Sequence, residues 1–117
     1  MKLKRPATVL ELLVAARELI GVRERWCFGA LALTKLGRIT APRGPSAVSW
    51  CAVGALRKCA SQRDDGNYAT AITMLESAAR ELGANNVVSL NDKAYYPQVL
   101  RMFDVAIAEA LVIEAQS

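Results

Sequence analysis

Two stretches of this sequence repeat one another and hold its most reactive side chains. Trp26-Cys27-Phe28-Gly29-Ala30-Leu31 is followed 24 residues later by Trp50-Cys51-Ala52-Val53-Gly54-Ala55-Leu56, with one extra residue between Cys and Gly. A cysteine acts as nucleophile or metal ligand through its thiolate. Forming the thiolate at neutral pH takes a neighbouring base, a cation or a helix N-terminus. The usual base is missing, because the 117-residue chain has no histidine. That excludes Ser-His-Asp and Cys-His catalysis, mixed cysteine-histidine zinc sites and a histidine pH switch. Zinc would need Cys27, Cys51 and Cys59 together with an acid such as Asp92, and the chain has no Cys-x-x-Cys pair. Three cysteines also make no disulfide framework. No metal and no cofactor are therefore expected, and a cysteine-dependent enzyme using Cys27 or Cys51 ranks last among the functional readings.

The same residues have a packing role. A glycine one turn from a tryptophan leaves a notch that another helix or an indole can enter, and cysteine is a small, dense apolar filler. The two elements are expected to lie on paired helices that meet across the centre of the molecule. Helical spacing then puts Trp50, Gly54 and Arg57 on one line at i, i+4 and i+7. An indole, an open patch of backbone and a guanidinium could hold an aromatic or phosphorylated ligand. The competing reading makes Trp50 core and Arg57 a solvated edge. Asn91-Asp92 offers a polar loop site beside Lys93, Tyr95 and Tyr96, or an Asx turn that orients the next helix.

Charge adds a third constellation. Net charge is +4, but residues 1–63 carry 12 Lys/Arg against 3 acids, while residues 64–117 carry 3 against 8. No acid stands between Glu24 and Asp64. Arg38, Arg43, Lys58 and Arg63 are the candidate partner-binding cations. A one-sided basic half suits an acidic partner, a phosphorylated ligand or nucleic-acid phosphate. It also suits neutralisation by the chain's own acidic half or by a second copy. Sequence-specific reading of nucleic acid has little support, since nine residues, Gly37 to Pro45, separate the second and third helices where a helix-turn-helix needs about three or four.

The elements that must position these residues are helical by periodicity. Thr8 and Glu11 form a capping box, and Val9, Leu12, Leu13, Ala16, Leu19 and Ile20 line one face of a helix over 8–20. Further helices are predicted over 24–36, 46–60 with Ser46 as N-cap, 68–82, and 97–115 with Pro97 in its first turn. Gly37 to Pro45 is a loop, and 84–96 is irregular with Val87 to Leu90 briefly extended. A looser echo joins Ala15-Ala16-Arg17-Glu18-Leu19 to Ala78-Ala79-Arg80-Glu81-Leu82. With 20 alanines the helices should approach closely. The expected fold is an all-α, single-domain bundle of about five helices spanning residues 1–117. At 53% hydrophobic and 22% charged residues it has the material for a core.

Glu11, Arg17 and Glu18 interrupt the apolar N-terminal stretch, so no signal-peptide core forms, and no window is apolar enough for a membrane span. A cytoplasmic protein with reduced thiols is expected. Apolar positions off the main stripe of the last helix (Val99, Met102, Val105, Ala106, Val112) suggest an interface.

Taken together, the order of motifs resembles a family of small bacterial and phage domains with twin Trp-Cys and Gly-Ala elements. The matching positions are Trp26, Cys27, Gly29 and Ala30, then Ala47, Val48, Trp50, Cys51, Gly54, Ala55 and Leu56. Asn91 and Asp92 follow, and then Val99, Leu100, Phe103, Asp104, Ala106 and Ile107. The resemblance covers about residues 8–111 and implies a helical architecture and a phage or mobile-element origin, with no activity to transfer. Relatives often carry a tryptophan just before the Asn-Asp pair, where this chain has Leu90. The leading expectation is a small non-enzymatic protein that docks on a partner protein, a second copy being one such partner, as an accessory or inhibitor of a host complex. A ligand-binding module for a nucleotide or other anion, built on Trp50, Arg57, Asn91 and Asp92, is the alternative.

Overall fold

The first helix starts where the capping box puts it. In the computed structural model, which describes residues 6–61, 66–93 and 95–116, α1 spans Val9–Leu19 and Thr8 Oγ1 accepts from the Glu11 N–H at 3.1 Å. The Glu11 carboxylate reaches back to the Ala7 N–H at 3.2 Å, one residue before the N-cap. Leu12, Leu13, Ala16 and Ile20 are buried.

The next predicted helix, 24–36, does not form. A 3₁₀ turn at Arg23–Arg25 leads into extended chain, and β1 follows at Ala32–Thr34. Gly29 is the physical reason: its φ of +79° is left-handed and ends any helix there. The continuous apolar run Ala30 to Leu33 has no period by which helix and strand can be told apart. The helix predicted over 46–60 is split. Its first part is β2, Ala47–Trp50, antiparallel to β1 with Ala32 opposite Trp50 and Leu33 opposite Ser49. Its second part is α2, Ala52–Cys59, and the N-cap is Cys51, not Ser46. The fold is therefore mostly helical but not purely all-α.

Three more helices follow among the described residues: α3, Asn67–Glu81; α4, Val87–Lys93; and α5, Tyr96–Ala115. The segment expected to be extended at 87–90 is helical. Asn86 caps it, its Oδ1 accepting from the Ser89 N–H at 2.7 Å, and the Glu76 carboxylate accepts from the Val87 N–H at 2.6 Å. The β-branched pair Val87-Val88 argues for a strand, and two side-chain acceptors override it.

Helix α1 packs on α2, α3 and α5, and α3 also packs on α5. The small residues of the echo, Ala16, Ala78 and Ala79, are fully buried between these helices and allow the close approach. Phe103, Leu75, Leu56 and Met102 fill the centre, and complete burial of each such side chain stabilises by about 1.5–3 kcal/mol. Of the surplus apolar positions on α5, Val99, Met102 and Ala106 belong to this core, whereas Val112 is exposed beside Leu111 and Ile113. The basic and acidic halves meet on the surface between α1 and α5, where Arg17 Nε lies 2.5 Å from Asp104 Oδ1. Among the described residues no helix is long and apolar enough to cross a membrane.

Candidate functional site

The twin Trp-Cys elements do meet at the centre, but as extended chain and not as helices. Trp26 and Trp50 form a parallel bridge, and the Cys27 N–H donates to the Trp50 carbonyl at 3.1 Å. From there β2 runs straight into α2, whose first N–H groups need acceptors. The Cys51 thiol supplies one, taking the Gly54 N–H at 3.3 Å. Gly54 has no side chain because the Leu31 peptide, just before β1, leaves no room for one. A Cβ there would sit 1.9 Å from the Leu31 carbonyl oxygen, which itself accepts from the Cys51 N–H at 3.1 Å. The notch opposite the tryptophan is thus filled by a peptide group, not by a helix or an indole.

Asn91 of α4 ties these pieces together. It is 1% exposed, and its amide uses both ends. Oδ1 accepts from Trp26 Nε1 at 2.9 Å and from the Ala52 N–H at 3.0 Å. Nδ2 donates to the Cys27 carbonyl at 3.1 Å and to Asp92 Oδ1 at 3.1 Å. Asp92 Oδ1 also accepts from the Gly29 N–H at 3.2 Å, which closes the turn made by that glycine. Trp26 is clamped further by Tyr96 and Phe28, at ring-centroid distances of 5.6 and 5.8 Å, and Arg23 lies over it at 5.7 Å. Trp50 is buried, and its Nε1 donates to the Pro42 carbonyl at 2.8 Å, which anchors the Pro-rich loop.

Beside this knot lies a cleft of about 400 Å³. Ala30, Leu31, Val53 and Val88 form apolar walls, Arg57 and Asp92 bring opposite charges, and Cys51 and Asn91 are its buried members. Arg57 Nε donates to the Tyr68 hydroxyl at 3.0 Å and its guanidinium stacks 5.9 Å from that ring. A second cleft, of about 370 Å³, lies on the other side of Arg57 and includes Pro42, Arg43 and Tyr68.

The thiols are not activated. Burial raises Cys51 above its ordinary value, and the Asp92 charge adds to this against the backbone donors of Gly54 and Val53. Burial also raises Cys27, partly countered by the Ser49 hydroxyl. Cys59 is pushed up to about 11, again by burial. Among the described residues no group of three or more Cys, Asp or Glu is arranged to hold a metal ion.

A family model matches residues 4–109, and its description reads "Family of unknown function (DUF6197)". The chain belongs to this family. No curated protein and no solved structure matches it.

Of the ligand candidates in this family member, the fold brings Arg57, Asn91 and Asp92 to one cleft and leaves Trp50 out of it. Trp50 precedes α2 instead of standing on it, so the expected line Trp50–Gly54–Arg57 along one helix does not exist. The partner candidates are scattered. Arg38 is exposed on the turn after β1 and Lys58 is exposed on α2. Arg43 caps the C-terminus of α2, donating from Nε to the Arg57 carbonyl at 2.9 Å and from Nη2 to the Ala60 carbonyl. Arg63 lies outside the described residues. Sequence reasoning missed the Trp26–Asn91 pairing, which joins residues 65 positions apart and leaves no local signal. It also missed Arg43 as a cap, although a cation near a helix C-terminus is a known pattern.

Proposed function

We propose that this protein is a non-enzymatic docking protein that inserts the hairpin tip beyond β1 into an apolar, acid-rimmed groove on a partner protein. The observation that carries this reading is the exposure of Leu36 at 82% and Ile39 at 78%, which alternate along the turn with the exposed cations Lys35 and Arg38. These two side chains are not on a loose loop. The Thr34 N–H donates to the Arg38 carbonyl at 2.8 Å, the Gly37 N–H to the Thr34 carbonyl at 2.9 Å, and the Thr40 N–H to the Ala32 carbonyl at 3.1 Å. Thr34 Oγ1 accepts from the Arg38 N–H at 3.1 Å, and Leu33 bridges Ile39. A preordered tip loses little conformational entropy on binding, and large apolar side chains in a dry pocket carry most of an interface's energy. The flanking cations select an acidic rim. Nucleic-acid phosphate offers the cations a partner but gives Leu36 and Ile39 no groove to fill. The raised thiols support a binding role over a catalytic one. The role that fits a small docking domain of this kind is that of an accessory or inhibitor of a host complex, and the family resemblance adds a phage or mobile-element origin.

The test is a partner, once purified, measured against the wild type and Leu36→Asp/Ile39→Asp. The expected result is loss of binding with the thermal midpoint unchanged, and an affinity that weakens with salt as surface charge is screened. Undiminished binding by the double variant overturns the reading. So does binding of the tip to anionic lipid vesicles in place of a protein.

A further inference from the structure

The cleft beside Asn91 makes a site that the docking reading does not use. Its walls are apolar, at Leu31, Val53 and Val88, and its two charged groups are of opposite sign. Those two groups do not neutralise one another: among the described residues the ion pair is Arg17–Asp104, and Arg57 and Asp92 are held by other partners. The Tyr68 hydroxyl and ring fix Arg57 through its Nε face, leaving its Nη groups without a hydrogen bond among the described residues. The Gly29 N–H and Asn91 Nδ2 fix Asp92 through Oδ1, leaving Oδ2 likewise without one. Both charges are therefore positioned from behind, each with donors or acceptors to spare, around an apolar space whose volume of about 400 Å³ lies within the range of small-molecule sites. A phosphate group would meet Asp92 across the same cleft, and like charges there cost affinity. A ligand with one anionic end, one cationic end and an apolar body satisfies every wall.

We propose that this cleft binds a small apolar zwitterion of the α-amino-acid or dipeptide class, its carboxylate on Arg57 and its ammonium on Asp92. The apolar side chain lies against Val53 and Val88. The site is independent of the hairpin tip and stands or falls without it.

The experiment is an NMR titration of the wild-type protein with L-leucine and with the dipeptide Leu-Leu, which differ in reach between the charges. Two single-charge probes run in parallel: N-acetyl-leucine, without the cation, and leucinamide, without the anion. Saturable shifts of the Gly29, Val53 and Val88 amides by one of the zwitterions are expected. Each single-charge probe should bind about tenfold or more weakly, the loss that goes with one charge-assisted hydrogen bond. Val88→Trp fills the cleft from an exposed helix position and should abolish the shifts with an unchanged thermal midpoint. The proposal is overturned if neither zwitterion shifts these amides at about 10 mM, an affinity limit well below useful binding. It is equally overturned if N-acetyl-leucine or inorganic phosphate binds as well as the zwitterion, or if Val88→Trp binds like the wild type.

Discussion

The indole N–H of Trp26 donates to Oδ1 of Asn91 at 2.9 Å, joining the extended segment after α1 to a short helix 65 residues away in sequence. The same oxygen accepts from Ala52 and the same amide donates to Cys27 and Asp92, so Asn91 ties its own helix to two distant chain segments. Buried amides with every valence filled fix one arrangement of the chain around them.

Asn91→Ala should be among the most destabilising substitutions in the protein. It leaves the Ala52 N–H, the Trp26 indole N–H and the Cys27 carbonyl without their partner, and an orphaned buried polar group costs about 1–3 kcal/mol each. A loss of about 3–5 kcal/mol in urea unfolding is expected, because partial water entry offsets some of the cost. Asn91→Asp keeps both acceptor bonds but loses the donor and sets a second carboxylate beside Asp92. Its folded pKa would be raised, so stability missing at pH 7 should return as the pH falls towards 4, which urea midpoints across that range will show.

Gly54→Ala tests the contact between α2 and the Leu31 peptide that precedes β1. The added methyl would overlap the Leu31 carbonyl, a backbone atom that cannot rotate away. In an ordinary helix the change would stabilise by close to 1 kcal/mol. Here a loss of about 3 kcal/mol or more is expected from thermal or urea unfolding, beyond the usual range of overpacking. A neutral result would mean that the Leu31 carbonyl is not pressed on α2.

The thiols give a pH prediction. Cys59 holds its proton to about 11 in the folded state, against an ordinary value of 9.0. A group whose folded pKa is raised contributes stability that is whole below the unfolded pKa and is lost as pH rises through the folded one. Stability should therefore fall between about pH 9 and pH 11, by at most about 2 kcal/mol for this group. Cys27 and Cys51 shift in the same direction. At pH 7 all three should resist iodoacetamide until denaturant is added, which mass spectrometry of the labelled protein measures.

Arg43 can be told apart from the exposed Arg38 by what each does for stability. It holds two carbonyls at the C-terminus of α2, so Arg43→Ala should cost about 1–2 kcal/mol of stability. Arg38→Ala, at an exposed turn with no side-chain bond among the described residues, should leave the unfolding midpoint within about 0.5 kcal/mol of wild type. The comparison of the two by calorimetry needs no partner.

Where the chain carries its own local instructions, the sequence is readable. Thr8 and Glu11 mark the start of α1 three residues apart, and Pro97 falls in the first turn of α5. The segment from Arg23 to Trp50 resists such reading, because its conformation is set by distant partners. Trp26 and Cys27 are extended since Trp50 and Asn91 receive their hydrogen bonds, and Cys51 starts a helix at a position where Ser46 is the better local candidate. Arg57, Asn91 and Asp92 are recognisable as polar residues with uses, but their meeting in one cleft depends on the turn at Gly29 and on α4. For Trp50 the core reading holds, since the indole is buried, but it is buried from a strand and not from the helix that the spacing predicts.

Because Asn91 completes the knot, the order of synthesis matters. A chain emerging from the ribosome presents residues 26–52 well before residue 91 exists. During that interval Trp26, Cys27 and Ala52 have no amide to satisfy them, and α1 and α2 lack the α5 and α4 surfaces that later cover them. Residues 26–52 of the nascent chain must wait, unlocked, until Asn91 has been translated.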